Sequence, residues 1–152
     1  MSSISLQNKI ASTLRNIATP KCITEAIRIE SLPTLKRRFH FRDLGLTADH
    51  VETILDILDE GHDYEINSIS FSHNLIGDEG AEIIAHRLPN TIEEIGLVDC
   101  GITDIGAKIL LSQLHILPNL DMLCLENNIL SEHVKLEYQK YGAFNRDMMI
   151  IV

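Results

Sequence analysis

The segment INSISFSHNLIGDEGAEIIAHRL (residues 66–88) changes period halfway along its length. Ile69 and Phe71 alternate with polar neighbours at the period of a strand, whereas Ala81, Ile84, Ala85 and Leu88 recur at the intervals of a helix face. Laid along the chain, it falls in register over 23 positions with IEEIGLVDCGITDIGAKILLSQL (residues 92–114). A third copy, LDMLCLENNILSEHV, starts at Leu120, and a degenerate earlier one, KRRFHFRDLGLTADHVETILDIL, starts at Lys36, so the spacings are 30, 26 and 28 residues. A repeat of this length is one strand, one turn and one helix, copied.

Positions 4, 6 and 11 of every copy are apolar: Phe39, Phe41 and Leu46, then Ile69, Phe71 and Ile76, then Ile95, Leu97 and Ile102, then Leu123, Leu125 and Leu130. Position 9 is Asn74, Cys100 and Asn128 in the last three copies. The pattern LxxLxLxxN/CxL resembles leucine-rich repeats, and NLIGDEGAEIIAHRL is similar to their ribonuclease-inhibitor-like class, over residues 36 to 134. The resemblance implies an α/β fold: a short solenoid with a parallel sheet on its concave face and helices outside. It also implies that the position-9 asparagine caps backbone groups in the turn, with cysteine as its substitute. Leu44 departs from that, marking the first unit as a modified end repeat.

One unit cannot bury both its strand and its helix faces, so units stack. Gly80-Ala81 and Gly106-Ala107 let a helix start close to its neighbour, Asp78 and Asp104 favour helix N-termini, and Ala85, Leu88, Leu110, Leu111 and Leu114 should face inward. Proline after Leu32, Leu88 and Leu117 closes each helical stretch.

The expected division is a helical cap over residues 1–35, four repeats over 36–65, 66–91, 92–119 and 120–134, and a C-terminal helix and tail over 135–152, all one structural domain. Residues 4–17 (Ile4, Ile10, Leu14, Ile17) and 22–31 (Ile23, Ala26, Ile27) read as two cap helices separated by Thr19-Pro20. Ser131 can cap a helix running to Tyr141 and broken by Gly142, after which Met148 to Val152 pack back on the last repeat.

Residues 1–42 sum to a charge of +6, residues 43–134 to −16 and the remainder to +1, for a net −9. So acidic a body repels phosphate backbones, which argues against nucleic acid and for a basic protein partner. The basic residues Lys9, Arg15, Lys21 and Arg28 offer an anionic lipid or RNA surface as a third class of reading, against plain solvation of the cap. No run of apolar residues suffices for a membrane span, and the N-terminal stretch, broken by Gln7, Asn8 and Lys9, does not read as a signal peptide. Cys22, Cys100 and Cys124, without a CxxC, read as free thiols in a cytoplasmic setting. Resemblance to short leucine-rich-repeat effectors with an apolar C-terminal tail implies a protein delivered into a host cell by bacterial type IV secretion.

Positions 2, 3, 5, 7 and 8 should face the concavity as columns crossing the strands. The predicted partner-contacting residues are Arg37, Asn67, Glu93 and Asp121 from position 2, and Arg38, Ser68, Glu94 and Met122 from position 3. His40, Ser70 and Cys124 come from position 5, Arg42, Val98 and Glu126 from position 7, and His73 and Asp99 from position 8. Columns 2 and 3 pass from basic through neutral to acidic, with Met122, Val98 and Cys124 supplying apolar contact.

Catalytic readings are weaker. His40 and Cys124 are three strands apart, about 14 Å at strand spacing, beyond hydrogen-bond reach. Asp43, His73, Asp99 and Asn127 at position 8 admit a metal site, a Ser72-His73-Asp triad, or a surface histidine kept protonated by acidic neighbours. His50, His62, His86, His115 and His133 show no ligand clustering, and Glu52, Asp56, Asp59 and Glu60 read as solvation of a helix.

The expected function is a non-enzymatic interaction protein that binds one protein partner on its concave face and inhibits it by occlusion, with no cofactor, metal or small-molecule substrate. Resemblance to repeat proteins that regulate small GTPases offers Arg37, Arg38 and Arg42 as candidates for a GTPase-activating role; a host-targeted adaptor is a further alternative.

Overall fold

Apolar residues at alternate positions of a short segment can be buried together only if the segment is extended with one face on the core. In a computed structural model of the chain, Phe39, Ile69, Ile95 and Leu123 are buried at the centres of β1 (Arg38–His40), β2 (Ser68–Ser70), β3 (Glu94–Gly96) and β4 (Met122–Cys124). The structure describes residues 3–35, 37–60, 65–145 and 148–152. Lys36, where the first repeat begins, His62 and the side chain of Ile4 lie outside the described residues.

Six helices accompany the strands among those residues: α1 (Ser3–Ile17), α2 (Pro20–Glu30), α3 (Ala48–Glu60), α4 (Gly77–Arg87), α5 (Asp104–Gln113) and α6 (Glu132–Phe144). The fold is α/β, with a single parallel sheet whose strands stand in chain order, closed by β5 (Met149–Ile151). Its rows are Arg38, Ser68, Glu94, Met122 and Met149; Phe39, Ile69, Ile95, Leu123 and Ile150; and His40, Ser70, Gly96, Cys124 and Ile151. For β1 to β4 these are columns 3, 4 and 5 of the repeat alignment. Helix α3 packs on α4, α4 on α5 and α5 on α6, so the core lies between sheet and helices. Phe41 stacks on Phe71 with ring centroids 5.6 Å apart.

Turns after the strands are stitched from unit to unit. Asn74 Oδ1 accepts from the amides of Leu44 (2.9 Å) and Leu46 (3.0 Å), while Nδ2 donates to the carbonyls of Phe41 and Phe71 at 2.6 and 2.8 Å. Asn128 repeats this on Cys100, Ile102, Leu97 and Leu125. Cys100 lacks a carboxamide, and its thiol makes long contacts to the Phe71 carbonyl at 3.4 Å and the Val98 carbonyl at 3.5 Å. Aspartates reach the other way. Asp78 accepts from the Thr103 amide and hydroxyl and the Gly106 amide, and Asp104 accepts from the Ser131 amide. Gly106 has no room for a Cβ, which would lie 2.6 Å from Asp78 Oδ1.

Ile10 and Leu14 of α1 are buried as expected, whereas α2 differs from expectation in which stripe it buries. Cys22, Ala26 and Ile29 of α2 are buried, whereas Ile23 and Ile27 are exposed. The reason is local: the Thr19 hydroxyl caps α2 through the Cys22 amide and also donates to the Leu44 carbonyl, which the Cys22 thiol contacts at 3.2 Å. Those bonds rotate the Cys22 side of α2 onto the first unit. At the other end α6 is not broken at Gly142 but continues to Phe144, with the Ser131 hydroxyl capping it through Val134 N. A Cβ on Gly142 would meet Ile150 at 3.5 Å, ordinary contact that leaves the helix intact. Met149 to Ile151 pack back on the last unit as a fifth strand hydrogen-bonded to β4. No helix among the described residues is long and apolar enough to cross a membrane.

Candidate functional site

Residues flanking each buried strand centre point away from the helices and form the open face of the sheet. The structure brings the predicted contact residues of positions 3 and 5 together in two adjacent rows, as the register requires. They are not equally accessible. Ser68, Ser70 and Ser72 are 3%, 6% and 4% exposed, so Ser68 and Ser70 lie beneath their neighbours. Arg38 reaches past Ser68 to pair with Glu94 at 2.9 Å, and His40 Nε2 lies 2.9 Å from Ser68 Oγ. Ser70 Oγ donates to Ser72 Oγ (3.1 Å), whose oxygen accepts from the Val98 amide (3.0 Å). This serine group depends on Gly96, where a Cβ would stand 2.7 Å from Ser70 Oγ.

Charge divides the face. Arg37 at the basic end is tied to Glu65 at 2.7 Å, and Lys21 is tied to Asp43, leaving Arg42 exposed. Lys9 likewise pairs with Glu60, and Arg15 with Glu30 at 2.7 Å. Much of the basic surplus of the first 42 residues is therefore spent inside the molecule. At the acidic end Glu93 and Asp121 are exposed, and Glu126 Oε2 is buried without a hydrogen-bond partner, as is Asn67 Oδ1. Glu93, Asp121, His115, Tyr141 and Asn145 help to line a cavity of about 480 Å³ beside the start of β4. Met122, Cys124 and Val98 are half-buried between these carboxylates.

The titratable groups argue against thiol chemistry. Burial, then Glu126 and Glu94, push the Cys124 thiol up, and burial pushes Cys100 up to about 11. Burial, then Arg38, push His40 down, with Glu94 opposing and Arg42 adding to the fall. His40 and Cys124 occupy the first and fourth strands of one row, with Ser70 and Gly96 between them.

Position 8 carries a signal that side-chain chemistry obscures. Asp43, His73, Asp99 and Asn127 have φ of 53°, 62°, 53° and 61°, so all four occupy the left-handed region, where Asp, Asn and His are enriched. Residue types that suggest a metal or a triad serve here to turn the chain. His73 Nδ1 lies 3.2 Å from Asp99, the Ser72 hydroxyl is engaged with Ser70 and Val98, and no metal-holding cluster of His, Cys, Asp and Glu occurs among the described residues. The serine group, the Arg38–Glu94 pair and the orphan Glu126 oxygen escape sequence reading; only the alternation of Ser68, Ser70 and Ser72 hints at the first.

No protein-family model matches the chain, and no curated protein matches it.

Proposed function

We propose that the chain is a non-enzymatic leucine-rich-repeat interaction module of the ribonuclease-inhibitor-like class. It grips one basic protein partner on the open, concave face of its sheet and inhibits that partner by occlusion. The observation that carries this reading is the set of unpaired carboxylates at one end of the face. Among the described residues Glu93 and Asp121 stand exposed with no ion pair, and Glu126 Oε2 is buried without a hydrogen-bond donor. A buried acceptor without a bond costs free energy that an incoming guanidinium or ammonium group recovers. The cavity of about 480 Å³ that Glu93 and Asp121 help to line gives such a side chain room beside those two carboxylates. Met122, Val98 and Cys124 supply an apolar floor, and the polar rim is typical of transient interfaces.

A photo-crosslinking residue placed at Glu93 or Asp121, and at Glu52 or Glu82 on the helices as controls, tests the proposal in extract of the native cell. The same protein should be captured from both sheet positions and from neither helix position. Equal capture from both sides, or none, overturns it.

A further inference from the structure

A second surface runs along the turns that follow the strands, apart from the open face. Position 10 of successive turns is Gly45, Leu75, Gly101 and Ile129. Leu75 is 79% exposed and Ile129 68%, as is Ile105 in the first turn of α5. Neighbouring turns bring them together. A Cβ on Gly101 would lie 2.5 Å from Leu75 Cδ1, so Leu75 leans over that glycine toward the next turn. Ile129 bridges to Thr103 and donates its amide to the Ile102 carbonyl at 2.8 Å, and Ile105 lies two residues past Thr103. The core does not require these side chains, since Ile76 and Ile102 already fill it and glycine occupies the same position in two other turns.

An acidic row runs along one side of the strip, where Asp78, Asp104 and Glu132 stand with exposed Glu79 beyond; on the other side position 8 gives His73, Asp99 and Asn127, with Asp43 in the turn before. Some of that charge is engaged: Asp43 with Lys21, Asp99 with His73, and Glu132 at 3.4 Å with Lys135. Among the described residues Glu79 has no ion pair, and Lys108 near Asp104 and Arg42 near Asp43 are exposed cations. An exposed aliphatic strip between carboxylates repels an anionic lipid surface and complements a chain that is apolar along one stripe and basic beside it.

We infer that the strip formed by Leu75, Ile105 and Ile129 docks a lysine- or arginine-rich amphipathic helix of a partner protein. The spacing suits it. Leu75 and Ile129 are two strands apart, about 10 Å at strand spacing, and residues seven apart on a helix rise by about 10.5 Å. This surface is separate from the open face, so the chain holds two proteins at once and acts as a connector as well as an inhibitor.

The test titrates methyl-labelled protein with a synthetic Leu/Lys amphipathic helical peptide and with its Leu/Glu counterpart, following methyl shifts by NMR and affinity by calorimetry. The Lys peptide should shift Leu75, Ile105 and Ile129, and the Glu peptide should not bind. L75S with I129S, both at exposed sites, should weaken binding about tenfold or more, with an unchanged melting temperature. Absence of Lys-peptide binding, or binding indifferent to L75S and I129S, overturns the inference. Shifts confined to the side of Glu93 and Asp121 would also overturn it while leaving the open-face proposal standing.

Discussion

Asp78 begins one helix and clamps the next: its Oδ2 accepts from the Thr103 hydroxyl at 2.6 Å while Oδ1 accepts from the Thr103 amide at 2.7 Å. Burial opposes ionisation of this carboxyl, but the Thr103 and Gly106 donors outweigh it and hold its pKa below the ordinary value. The stability it confers is complete above the ordinary carboxylate pKa of about 4 and is lost as pH falls through the lowered folded value. Asp78→Ala should cost about 1–2 kcal/mol at neutral pH, as a lost cap does, and should flatten the acid limb of stability against pH measured by urea titration.

Replacing Asn74 should be the costliest single polar change in the turns. Asn74→Ala leaves the Leu44 and Leu46 amides and the Phe41 carbonyl unsatisfied inside the core. A loss of about 3 kcal/mol or more is expected, several buried groups being orphaned together. Cys100→Ala forfeits only long sulfur contacts and should cost about 1 kcal/mol. Denaturant midpoints that rank Cys100 above Asn74 would contradict the stitch.

Gly96→Ala should destabilise by about 1–3 kcal/mol through overpacking, since its methyl would meet Ser70 Oγ at 2.7 Å and Ser72 Oγ at 3.2 Å. Ser70→Gly in the same chain should recover most of the loss. Additive losses in the double variant would place the strain elsewhere.

Cys124 should react slowly with a thiol reagent at pH 8, because burial and the carboxylates of Glu126 and Glu94 keep its thiol protonated. Glu126→Gln should quicken labelling, read by intact-mass kinetics. An unchanged rate would remove Glu126 from the environment of the sulfur.

His40 is held neutral by burial and by Arg38, so the stability it contributes is present above the ordinary histidine pKa and is lost as pH falls through its lowered value. His40→Gln should reduce the loss of stability between pH 7 and pH 5. A slope equal to that of the parent chain would assign the titration to another group.

Much of the architecture is legible from spacing. Phe41, Phe71, Leu97 and Leu125 sit at one position of every copy, and burial leaves little choice but to stack them. β5 is harder to read because Met149 to Ile151 form an unbroken apolar run, so no alternation of polar and apolar residues marks them as a strand. In α2 two apolar stripes compete, and a hydroxyl cap at Thr19 chooses Cys22, Ala26 and Ile29 over Ile23 and Ile27. On the open face, charge order is readable, but accessibility is not. Whether Ser68 meets solvent depends on where Arg38 and His40 lay their side chains, which residue spacing does not encode.

The opposed reach of asparagines and aspartates sets rules for lengthening the array. A unit duplicated between the second and third would bring its own Asn74-like residue for its predecessor and its own Asp78-like residue for its successor. A duplicate of the first unit, with Leu44 and Ala48 at those places, would serve neither neighbour. Such a protein is free to grow by insertion in its middle and closed to growth at its capped end.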